Sequence, residues 1–251
     1  MIAADCVIPS SVHIESDVEI GTRTLFLGGA TSVRSRTVIE PACIIGADIT
    51  IGQGAYLRTG SVVLKSVPPN AIVEGNPAQI VGYVTGTQSN SSSTVIIQDI
   101  SAFAGLHAPA KLELSVGGSA FYLMRRAVDA RGSLTVGEVD QELPFQPKRY
   151  FLVFDVPSSE LRGEHAHKVC HQFLICTHGS CRVLLDDGFH RTEITLDRPD
   201  IGIHMPPMIW GTQYRYSDDA VLLVFASHTY DPEDYLRTYD DFLLALDERS
   251  K

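Results

Sequence analysis

The residues between Arg162 and Ser180 are of types that move protons or bind metals. Their sequence, RGEHAHKVCHQFLICTHGS, contains four histidines, two cysteines and a glutamate. His165 and His167 are separated by one residue, so on an extended strand both imidazoles point to the same face. Such a pair could hold a metal ion, or it could transfer protons directly. The rest of the sequence has to distinguish between these two chemistries.

The spacing of these histidines resembles the first motif of metal-binding cupin barrels, in which two histidines, a glutamate and a later histidine bind a divalent ion. Here the place of the glutamate is taken by Gln172, and the place of the last histidine falls near Trp210. Glutamine is a poor ligand for a cation, and tryptophan is none. His171 could be a third donor, so a metal site stays open as an alternative, as does a polar patch without chemistry. We favour histidines that act as acid and base with no bound metal.

Histidine suits that role because its ordinary pKa, about 6.5, lets it accept and return a proton around neutral pH. Two imidazoles on one face of a strand lie a few ångströms apart. This arrangement is suited to moving a proton between adjacent carbon atoms.

The composition is that of an ordinary globular protein with one large domain or two modest ones. The chain has 251 residues, 44% of them apolar and 20% charged, and a net charge of -10. That charge argues against nucleic-acid or anionic-membrane binding, and no apolar run approaches the roughly 20 residues that span a bilayer. The five cysteines form no CxxC pair, and the N-terminus shows no signal-peptide pattern. We therefore expect reduced thiols and a cytoplasmic protein.

Residues 8–67 repeat with a period of six. The hexads open at Ile8, Ile14, Ile20, Phe26, Val33, Ile39, Ile45, Ile51, Leu57 and Val63, with one extra residue before Val33. The fifth place of each hexad, Ala30 among them, is small or apolar. A six-residue period is typical of a parallel β-helix, in which three hexads make one coil. The sequence therefore predicts about three coils.

A second pattern begins at Phe121. Before it, residues 85–94 are small and polar, which indicates a flexible linker, and residues 95–120 are ambiguous, with VIIQDI as a candidate strand in a loop-like segment. From Phe121 onward short apolar strands alternate with turns such as DDG at Asp186 to Gly188, which favours an antiparallel sandwich or barrel. The tail from Asp231 has apolar residues from Tyr235 to Leu246 at helical spacing, so we predict a helix that caps the barrel.

The end of the repeat, SVVLKSVPPNAIVEGNPAQIVGYV at Ser61 to Val84, resembles the last coil and exit loop of hexapeptide-repeat acyltransferases. The resemblance implies a left-handed β-helix that trimerises and binds acetyl-CoA along its outer seam. The repeats contain no histidine after His13, so the usual general base is not visible, although an amine substrate could be deprotonated before it binds. Two interpretations stay open: a trimerising scaffold, which we favour, and an N-acetyltransferase with acetyl-CoA as its cofactor.

Motifs across residues 121–245 resemble the sugar-nucleotide 3,4-ketoisomerases, which are metal-independent cupins acting on dTDP-4-keto-6-deoxyglucose. The motifs are, in order, DARGSLTVGEV, LPFQPKRYFLVFDVP, RGEHAHKVCHQFLI, GSCRVLLDDG, PPMIW, DDAVLLVFAS and YDPEDYLRTYDDF. On the family's pattern the HAH histidines fall on His165 and His167, and the RG arginine falls on Arg162. The resemblance implies proton abstraction from C3, an enediol and reprotonation at C4, with the two histidines sharing the base and acid roles and no cofactor.

Further side chains are candidates for contacts with the substrate. Arg162, Gln172 and Tyr150 could stabilise the oxyanion of the enediol, and Arg162 could instead neutralise the diphosphate. Arg182 is another candidate if it points into the barrel; otherwise it is a solvated charge on a strand. Trp210 could form a wall of the sugar pocket or belong to the core.

The predicted fold is therefore all-β. It comprises a left-handed parallel β-helix at residues 1–84, a linker and irregular segment at 85–120, and a cupin barrel (double-stranded β-helix, or jelly roll) with a C-terminal helix at 121–251. Trimerisation through the β-helix, combined with the dimeric barrels of the second family, would give a homo-oligomer as large as a hexamer.

We expect an isomerase of 4-keto-6-deoxy sugar nucleotides that serves the biosynthesis of 3-amino-3,6-dideoxy sugars. A bifunctional enzyme is an alternative, because amination of the 3-keto product would give a substrate for an N-terminal acetyltransferase. A metal-dependent cupin epimerase or dioxygenase is another alternative, and a non-catalytic sugar-nucleotide binder is a third.

Overall fold

The computed structural model describes residues 1–84, 105–158 and 160–249. The chain divides into two compact units, Met1–Thr85 and Gly86–Lys251. The predicted linker at 85–94 and the VIIQDI segment lie outside the described residues. In the part of the chain that the structure describes, no helix is long and apolar enough to cross a membrane.

The first unit is a β-helix, as the six-residue period predicts. Its strands are β1 (His13–Ile14), β2 (Glu19–Ile20), β3 (Leu25–Phe26), β4 (Ser32–Val33), β5 (Val38–Ile39), β6 (Ile44–Ile45), β7 (Thr50–Ile51), β8 (Tyr56–Leu57) and β9 (Val62–Val63). They stack in parallel into three sheets, β1–β4–β7, β2–β5–β8 and β3–β6–β9. Ser32 pairs with both His13 and Thr50, so every third hexad returns to the same face.

From Ile20 onward, the residue that opens each hexad is the second residue of a strand, and its side chain is buried in the interior, as at Phe26 and Ile45. The one irregularity in the period is a turn at Gly28 and Gly29, which have φ values of 99° and 70°. This turn corrects the predicted pattern, because the inward fifth position is Thr31 and Ala30 is exposed. Thr31 Oγ1 donates a hydrogen bond to the carbonyl of Gly28 at 2.9 Å, which satisfies the buried hydroxyl.

The last coil ends in a hairpin of β10 (Ala71–Gly75) and β11 (Ala78–Tyr83). Strand β10 pairs in parallel with β8 and antiparallel with β11. The backbone before this hairpin packs closely on the preceding coil at Gly52, where a Cβ would lie 2.4 Å from the backbone nitrogen of Pro69. The glycine of an IG dipeptide therefore makes room for the backbone of the next coil.

The second unit is built from antiparallel strands. They are β12 (Ala110–Glu113), β13 (Ala120–Leu123), β14 (Arg125–Asp129), β15 (Gly132–Val136), β16 (Arg149–Phe154), β17 (Arg162–His167), β18 (Gln172–His178), β19 (Cys181–Asp186), β20 (Arg191–Leu196), β21 (Ile201–Met205), β22 (Trp210–Tyr214), β23 (Val221–Ala226) and β24 (Tyr235–Leu236). Two larger sheets have the orders β12–β13–β21–β18–β23–β16 and β20–β19–β22–β17–β24, and β14 pairs with β15. Strand β12 corrects the loop-like interpretation of residues 95–120, because its backbone pairs with β13.

The main core of this unit lies between the two larger sheets. One sheet contributes side chains such as Leu174 and Ile203, and the other contributes Val183 and Leu185. The outer face of the five-stranded sheet is covered by helix α1 (Tyr239–Arg249). The contact there is a cluster that we call the helix-facing cluster: Ala166, Met208, Trp210, Leu236, Tyr239 and Phe242.

The C-terminal tail differs from the predicted continuous helix. A 3-10 turn at Pro232–Asp234 is followed by β24, and only then does α1 begin at Tyr239. Tyr235 and Leu236 pair with β17 instead of continuing a helix. The free edge of β17 explains why these residues form a strand. Pairing with Tyr235 and Leu236 satisfies backbone N–H and C=O groups of β17 that a helix would leave without partners.

Candidate active site

The predicted proton-transfer residues lie on β17, which is kinked by a β-bulge. Strand β17 pairs with β22 on one side and β24 on the other. The register with β22 shifts between Gly163 and His165, and the intervening Glu164 has φ 52°. Gly163 has φ 81°, and a Cβ there would lie 2.6 Å from the carbonyl oxygen of Gly211, so this position requires glycine. The RG dipeptide of the motif is therefore needed for the bulge that positions the histidines.

His165 and His167 lie on the same face of β17, as the spacing predicts. Their ring centroids are 5.0 Å apart, with the ring planes at 83°. The intervening Ala166 points the other way, into the helix-facing cluster. The two imidazoles therefore face the space between the sheets. Tyr235 contacts both of them, with ring centroids at 4.9 Å from His165 and 4.4 Å from His167.

His167 is held at both ring nitrogens. Its Nδ1 lies 2.7 Å from Asp234 Oδ2, and its Nε2 lies 3.0 Å from Gln172 Nε2. Because a carboxylate only accepts and an amide nitrogen only donates, these contacts fix the neutral tautomer with the proton on Nδ1. Gln172 thus occupies the glutamate place of the cupin motif as a hydrogen-bond donor to the histidine.

The surroundings keep His167 neutral. Burial, followed by the neighbouring His165, lowers its pKa to about 4, against the opposing effect of Asp234. Burial by itself would raise the pKa of Asp234, but the hydrogen bonds from the Val169 N–H and from His167 outweigh it, so its pKa lies below the ordinary value. The result is a neutral imidazole beside a carboxylate that can stabilise a positive charge when the ring takes up a proton.

His165 has one ring nitrogen available. Its Nδ1 lies 3.0 Å from the carbonyl oxygen of Gly163, which can only accept, so the proton is on Nδ1. Its Nε2 is buried and has no hydrogen-bond partner in the described part of the chain. Burial lowers the pKa of His165, so this Nε2 carries a lone pair. A buried unpaired lone pair is costly unless a ligand uses it.

Strand β16 brings Arg149 to the site rather than Tyr150. Alternate residues of this strand face the core, and Phe151 and Val153 pack against it. Arg149 shares their face, and its positive charge acts on His167. Its Nε is buried without a hydrogen-bond partner among the described residues. Tyr150 is 67% exposed on the other face, so we leave it out of the proposed site.

The remaining predicted contacts divide between the two faces of the five-stranded sheet. Arg162 lies opposite Gln213 on β22, and His165 lies opposite Gly211, so Arg162 is on the histidine side. Arg182 lies opposite Tyr214 and pairs with Glu193 at 2.7 Å, while its neighbour Val183 points into the core. Arg182 therefore points away from the barrel interior, and we leave it out of the proposed site.

Trp210 also lies on the outer face, in the helix-facing cluster. Its ring is 5.3 Å from Tyr239 and 5.8 Å from Phe242, and it is 6% exposed. Of the two interpretations of Trp210, the structure favours the core. It packs beneath α1 and is separated from the histidines by the sheet itself.

The third histidine considered as a metal ligand lies elsewhere. His171 Nδ1 is 3.0 Å from His204 Nε2, the ring planes differ by 4°, and both rings pack near Phe145. His171 therefore pairs with His204 instead of completing a site with His165 and His167. A different set of donors surrounds His167, namely Cys170 and Asp234.

Asp234 and Arg149 are the site residues that sequence reasoning missed. Asp234 lies in the segment that opens the predicted C-terminal helix, where the helix dipole is enough to explain an acidic residue. Arg149 is next to Tyr150 in the motif LPFQPKRYFLVFDVP. Alternation along β16 puts the two side chains on opposite faces, but the sequence does not say which face is inward. Both residues reach the histidines only through the pairing of distant strands.

The chain is similar to known proteins over its second unit. Residues 118–247 match the family model described as FdtA: WxcM-like, C-terminal. A TDP-4-oxo-6-deoxy-alpha-D-glucose-3,4-oxoisomerase of Aneurinibacillus thermoaerophilus is 46% identical over 118 residues, which are 47% of this chain and 85% of that protein. The WlaRB TDP-quinovose 3,4-ketoisomerase of Campylobacter jejuni is a similar structure, with TM-score 0.50 and 40% identity over 51% of this chain and 99% of that one. QdtA, a sugar 3,4-ketoisomerase from Thermoanaerobacterium thermosaccharolyticum solved with TDP, has TM-score 0.51 and 34% identity over 52% of this chain and 96% of that one.

Hexapeptide-repeat enzymes are similar to the chain over a further third of its length. The bifunctional protein GlmU of Rubrobacter xylanophilus is 38% identical over 85 residues, which are 32% of this chain and 18% of that protein. A serine acetyltransferase of Escherichia coli K12 is 35% identical over 88 residues, 32% of each protein. The chain thus spans a third or less of the length of these two relatives.

Proposed function

Because this chain belongs to the FdtA family, WxcM-like C-terminal, we propose that its second unit is a sugar-nucleotide 3,4-ketoisomerase. The substrate is dTDP-4-keto-6-deoxyglucose and the product is its 3-keto isomer. The observation that carries the proposal is the pair of neutral imidazoles, His165 and His167, 5.0 Å apart on one face of β17. The same motif lies within the residues that match the family model.

The reaction needs two proton transfers, and the site has two proton-transfer groups. One proton moves from carbon C3 to carbon C4, and another moves from the C3 hydroxyl to the C4 oxygen. An enediol lies between the two ketones, so no electrons enter or leave. Two histidines therefore account for the isomerisation without a redox cofactor.

His167 is the better base for the carbon proton. When it removes the proton from C3 it becomes an imidazolium, and Asp234 at 2.7 Å stabilises that charge. Gln172 must first turn its amide N–H away from Nε2 so that this lone pair can accept the C3 proton, and the amide oxygen of the same side chain can then accept from the protonated ring. The imidazolium exchanges its proton with the solvent and then protonates C4.

His165 is suited to the oxygen protons. Its free Nε2 lone pair accepts the proton of the C3 hydroxyl, and its Nδ1 stays bonded to the carbonyl of Gly163. No carboxylate contacts this ring in the described residues, so a lasting positive charge there is unfavourable and the proton is passed on to the C4 oxygen. The two histidines thus have different roles because one has a counter-charge and the other has none.

Arginine side chains supply the positive charge that the substrate requires. Arg149 lies on the inward side of β16, acts electrostatically on His167 and has a buried Nε without a hydrogen-bond partner among the described residues, so it is the proposed donor for the oxyanion that develops on the enediol. Arg162, at the start of β17, is the candidate for the diphosphate, which a guanidinium binds with two parallel hydrogen bonds. The product is a 3-keto sugar nucleotide, which transamination would convert into a 3-amino-3,6-dideoxy sugar.

Proton NMR in D2O tests the proposal. Chelator-treated protein is incubated with dTDP-4-keto-6-deoxyglucose, and we expect a ketone at C3 with deuterium at C4. The variants His165→Asn and His167→Asn should each lower turnover by about 10² to 10⁴ while keeping the circular dichroism of the parent. An unchanged substrate spectrum, or full turnover in both variants, contradicts the assignment.

N-acetyl transfer by the first unit is a second candidate function. Its support is the similarity to GlmU and to serine acetyltransferases over about a third of the chain. His13 is exposed on β1, so it lacks the buried surroundings that tune a general base. Acetyl-CoA and a dTDP-3-amino-3,6-dideoxy sugar are the reagents that test it, with release of free CoA as the readout.

Oligomerisation through the first unit is supported by the contrast between its faces. The outward residues of β3–β6–β9 are Leu25, Ile44 and Val62, all aliphatic and half-buried. Those of β1–β4–β7 include the polar Ser32 and Thr50. An aliphatic face of this kind suits a homotrimer. Sedimentation equilibrium tests this: Ile44→Asp should dissociate the trimer, whereas Thr50→Asp, on the polar face, should not.

A further inference from the structure

His167 and two side chains near it form a set of possible metal ligands, whereas the proposed reaction uses no metal. His167, Cys170 and Asp234 offer ligand atoms that all lie within 4.8 Å of one another. All three residues are more than nine-tenths buried, at 2%, 2% and 7% exposure. An imidazole, a thiol and a carboxylate in one buried group match the donors that Zn²⁺ takes in proteins.

The donors are nearly at coordinating distance. Around a tetrahedral Zn²⁺ with ordinary bond lengths, neighbouring ligand atoms are about 3.3 to 3.6 Å apart. His167 Nδ1 and Asp234 Oδ2 are now 2.7 Å apart because a proton lies between them. Replacing that proton with a metal requires them to separate by roughly 0.6 Å and Cys170 to approach by roughly 1 Å, which side-chain rotation supplies.

The outer contacts of the group already orient it for a metal. Asp234 Oδ1 accepts a hydrogen bond from the Val169 N–H at 2.8 Å, which leaves Oδ2 for a further partner. Cys170 Sγ donates a hydrogen bond to the carbonyl of His171 at 3.3 Å and accepts one from Ser227 Oγ at 3.9 Å. Hydrogen bonds of this kind to the second oxygen of a carboxylate are typical of metal ligands.

The group lies directly beneath the surface. Val169, next to Cys170, is 54% exposed, and Glu233, next to Asp234, is also exposed. Lys168 bridges the two segments by donating to the carbonyl of Glu233 at 2.8 Å. The backbone N–H of Lys168 also donates to the carbonyl of Asp234 at 2.8 Å, so entry of an ion requires local opening of this exposed segment.

We propose that His167, Cys170 and Asp234 bind Zn²⁺ and that the bound ion inhibits the enzyme. The thiol of Cys170 loses its proton to solvent and becomes a thiolate ligand. His167 binds through Nδ1, so its ring proton moves to Nε2 and the imidazole stays neutral. One proton is released for each ion bound, the hydrogen bond between Nδ1 and Asp234 is replaced by the two bonds to zinc, and the Gln172 amide turns so that its oxygen accepts from Nε2–H.

Inhibition follows from the tautomer, and this step rests on the proposed function. With Nδ1 bound to zinc and Nε2 protonated, His167 has no lone pair to accept a proton from C3. Zinc therefore removes the base while leaving His165 and the arginines in place. The substrate and zinc act on opposite nitrogens of one ring, so inhibition lowers turnover more than substrate affinity.

The test uses the full chain with Co²⁺ as a spectroscopic substitute for Zn²⁺. We expect one Co²⁺ per chain with a thiolate-to-cobalt charge-transfer absorption, displaced by equimolar Zn²⁺, and loss of isomerase turnover that a chelator restores. In Cys170→Ala we expect the absorption to disappear and inhibition to need about 100-fold more zinc, since even a lost outer-shell partner costs 10- to 100-fold. Cys176→Ala, at an equally buried cysteine in the main core, should behave as the parent.

Each outcome is decisive. No charge-transfer absorption in the parent, or identical absorption and zinc sensitivity in Cys170→Ala, overturns the metal site. If Cys170→Ala does not fold, Cys170→Ser keeps the size of the side chain while removing the sulfur that produces the absorption. The absorption titration needs no substrate, so it decides the metal site even if the isomerase assignment fails.

Discussion

His167 and Asp234, 67 residues apart, are joined by a 2.7 Å contact between Nδ1 and Oδ2. The contact exists because β24 pairs with the end of β17 and the 3-10 turn before it ends at Asp234. It gives one of two adjacent histidines a counter-charge and leaves the other without one. The proposed difference in role between the two histidines therefore depends on the C-terminal segment.

Asp234→Asn tests that relationship. The amide keeps the shape but removes the negative charge, so the imidazolium of His167 is no longer stabilised, and we expect kcat to fall by about 10² to 10⁴ with little change in KM. Nitrogen NMR of His167 should show the loss of its fixed tautomer. Asp231→Asn, which changes the exposed cap of the same turn, is the control for local folding. Equal turnover in Asp234→Asn and the parent would leave the carboxylate without a catalytic role.

Neighbouring substitutions on β16 test which of its faces meets the substrate. Arg149→Gln removes the guanidinium from the inward face of β16 and should lower kcat/KM by about 10² to 10³, the effect of losing one oxyanion donor. Tyr150→Phe changes only the exposed face and should leave kcat/KM within about twofold of the parent. Steady-state kinetics of the two purified variants make the comparison. A larger loss in Tyr150→Phe than in Arg149→Gln would reverse the proposed orientation.

The His171–His204 pair predicts acid sensitivity of the second unit. Burial and then His171 lower the pKa of His204 to about 4, whereas in the unfolded chain it is near the ordinary value of about 6.5. Between these values the unfolded state binds more protons, so the free energy of unfolding falls as the pH drops from 6.5 to 4. Urea unfolding at a series of pH values should show this slope, and it should be smaller in His204→Gln. His190→Gln, at an exposed histidine, should keep the slope of the parent.

Two glycine substitutions test the stacking of the β-helix. Gly52→Ala places a methyl group 2.4 Å from the backbone of Pro69, and such overpacking should cost about 1 to 3 kcal/mol in the free energy of unfolding. Gly82→Ala meets nothing within 4 Å and should change it by less than about 0.5 kcal/mol. Denaturant titration followed by circular dichroism measures both. Equal effects at the two positions would show that close approach of the coils is not what requires glycine.

The helix-facing cluster predicts a large loss when its central side chain is truncated. Phe242 is fully buried against Trp210 and Tyr239, so Phe242→Ala should destabilise the second unit by about 3 to 5 kcal/mol. Leu244→Ala, at a position 64% exposed on the same helix, is the matched control and should cost less than about 0.5 kcal/mol. Thermal unfolding monitored by tryptophan fluorescence reports directly on this cluster. A small effect at Phe242 would mean that α1 is not held by its buried face.

Local periodicity was enough to predict the architecture of the first unit. The six-residue repeat states which side chain of each hexad faces inward, and coils stack on their neighbours alone, so the pattern needs no distant information. The exception is Ala30, which is exposed although it was predicted to face inward. The extra residue of the repeat lies in the turn at Gly28 and Gly29, so the inward position moves to Thr31. The same local logic placed His165 and His167 on one face of a strand.

Sequence patterns alone predict the repeat, most strands of the second unit and the histidine pair, but what surrounds that pair depends on the tertiary structure. Alternation along a strand defines two faces but not which of them is covered, and a shift of one residue exchanges them. Arg149 and Tyr150 differ by one such step, and Arg182 and Trp210 lie outward because α1 and the Glu193 side chain meet that face. Asp234 reaches His167 only because strands distant in sequence pair, and the free energy that selects this pairing comes from burial across the whole unit.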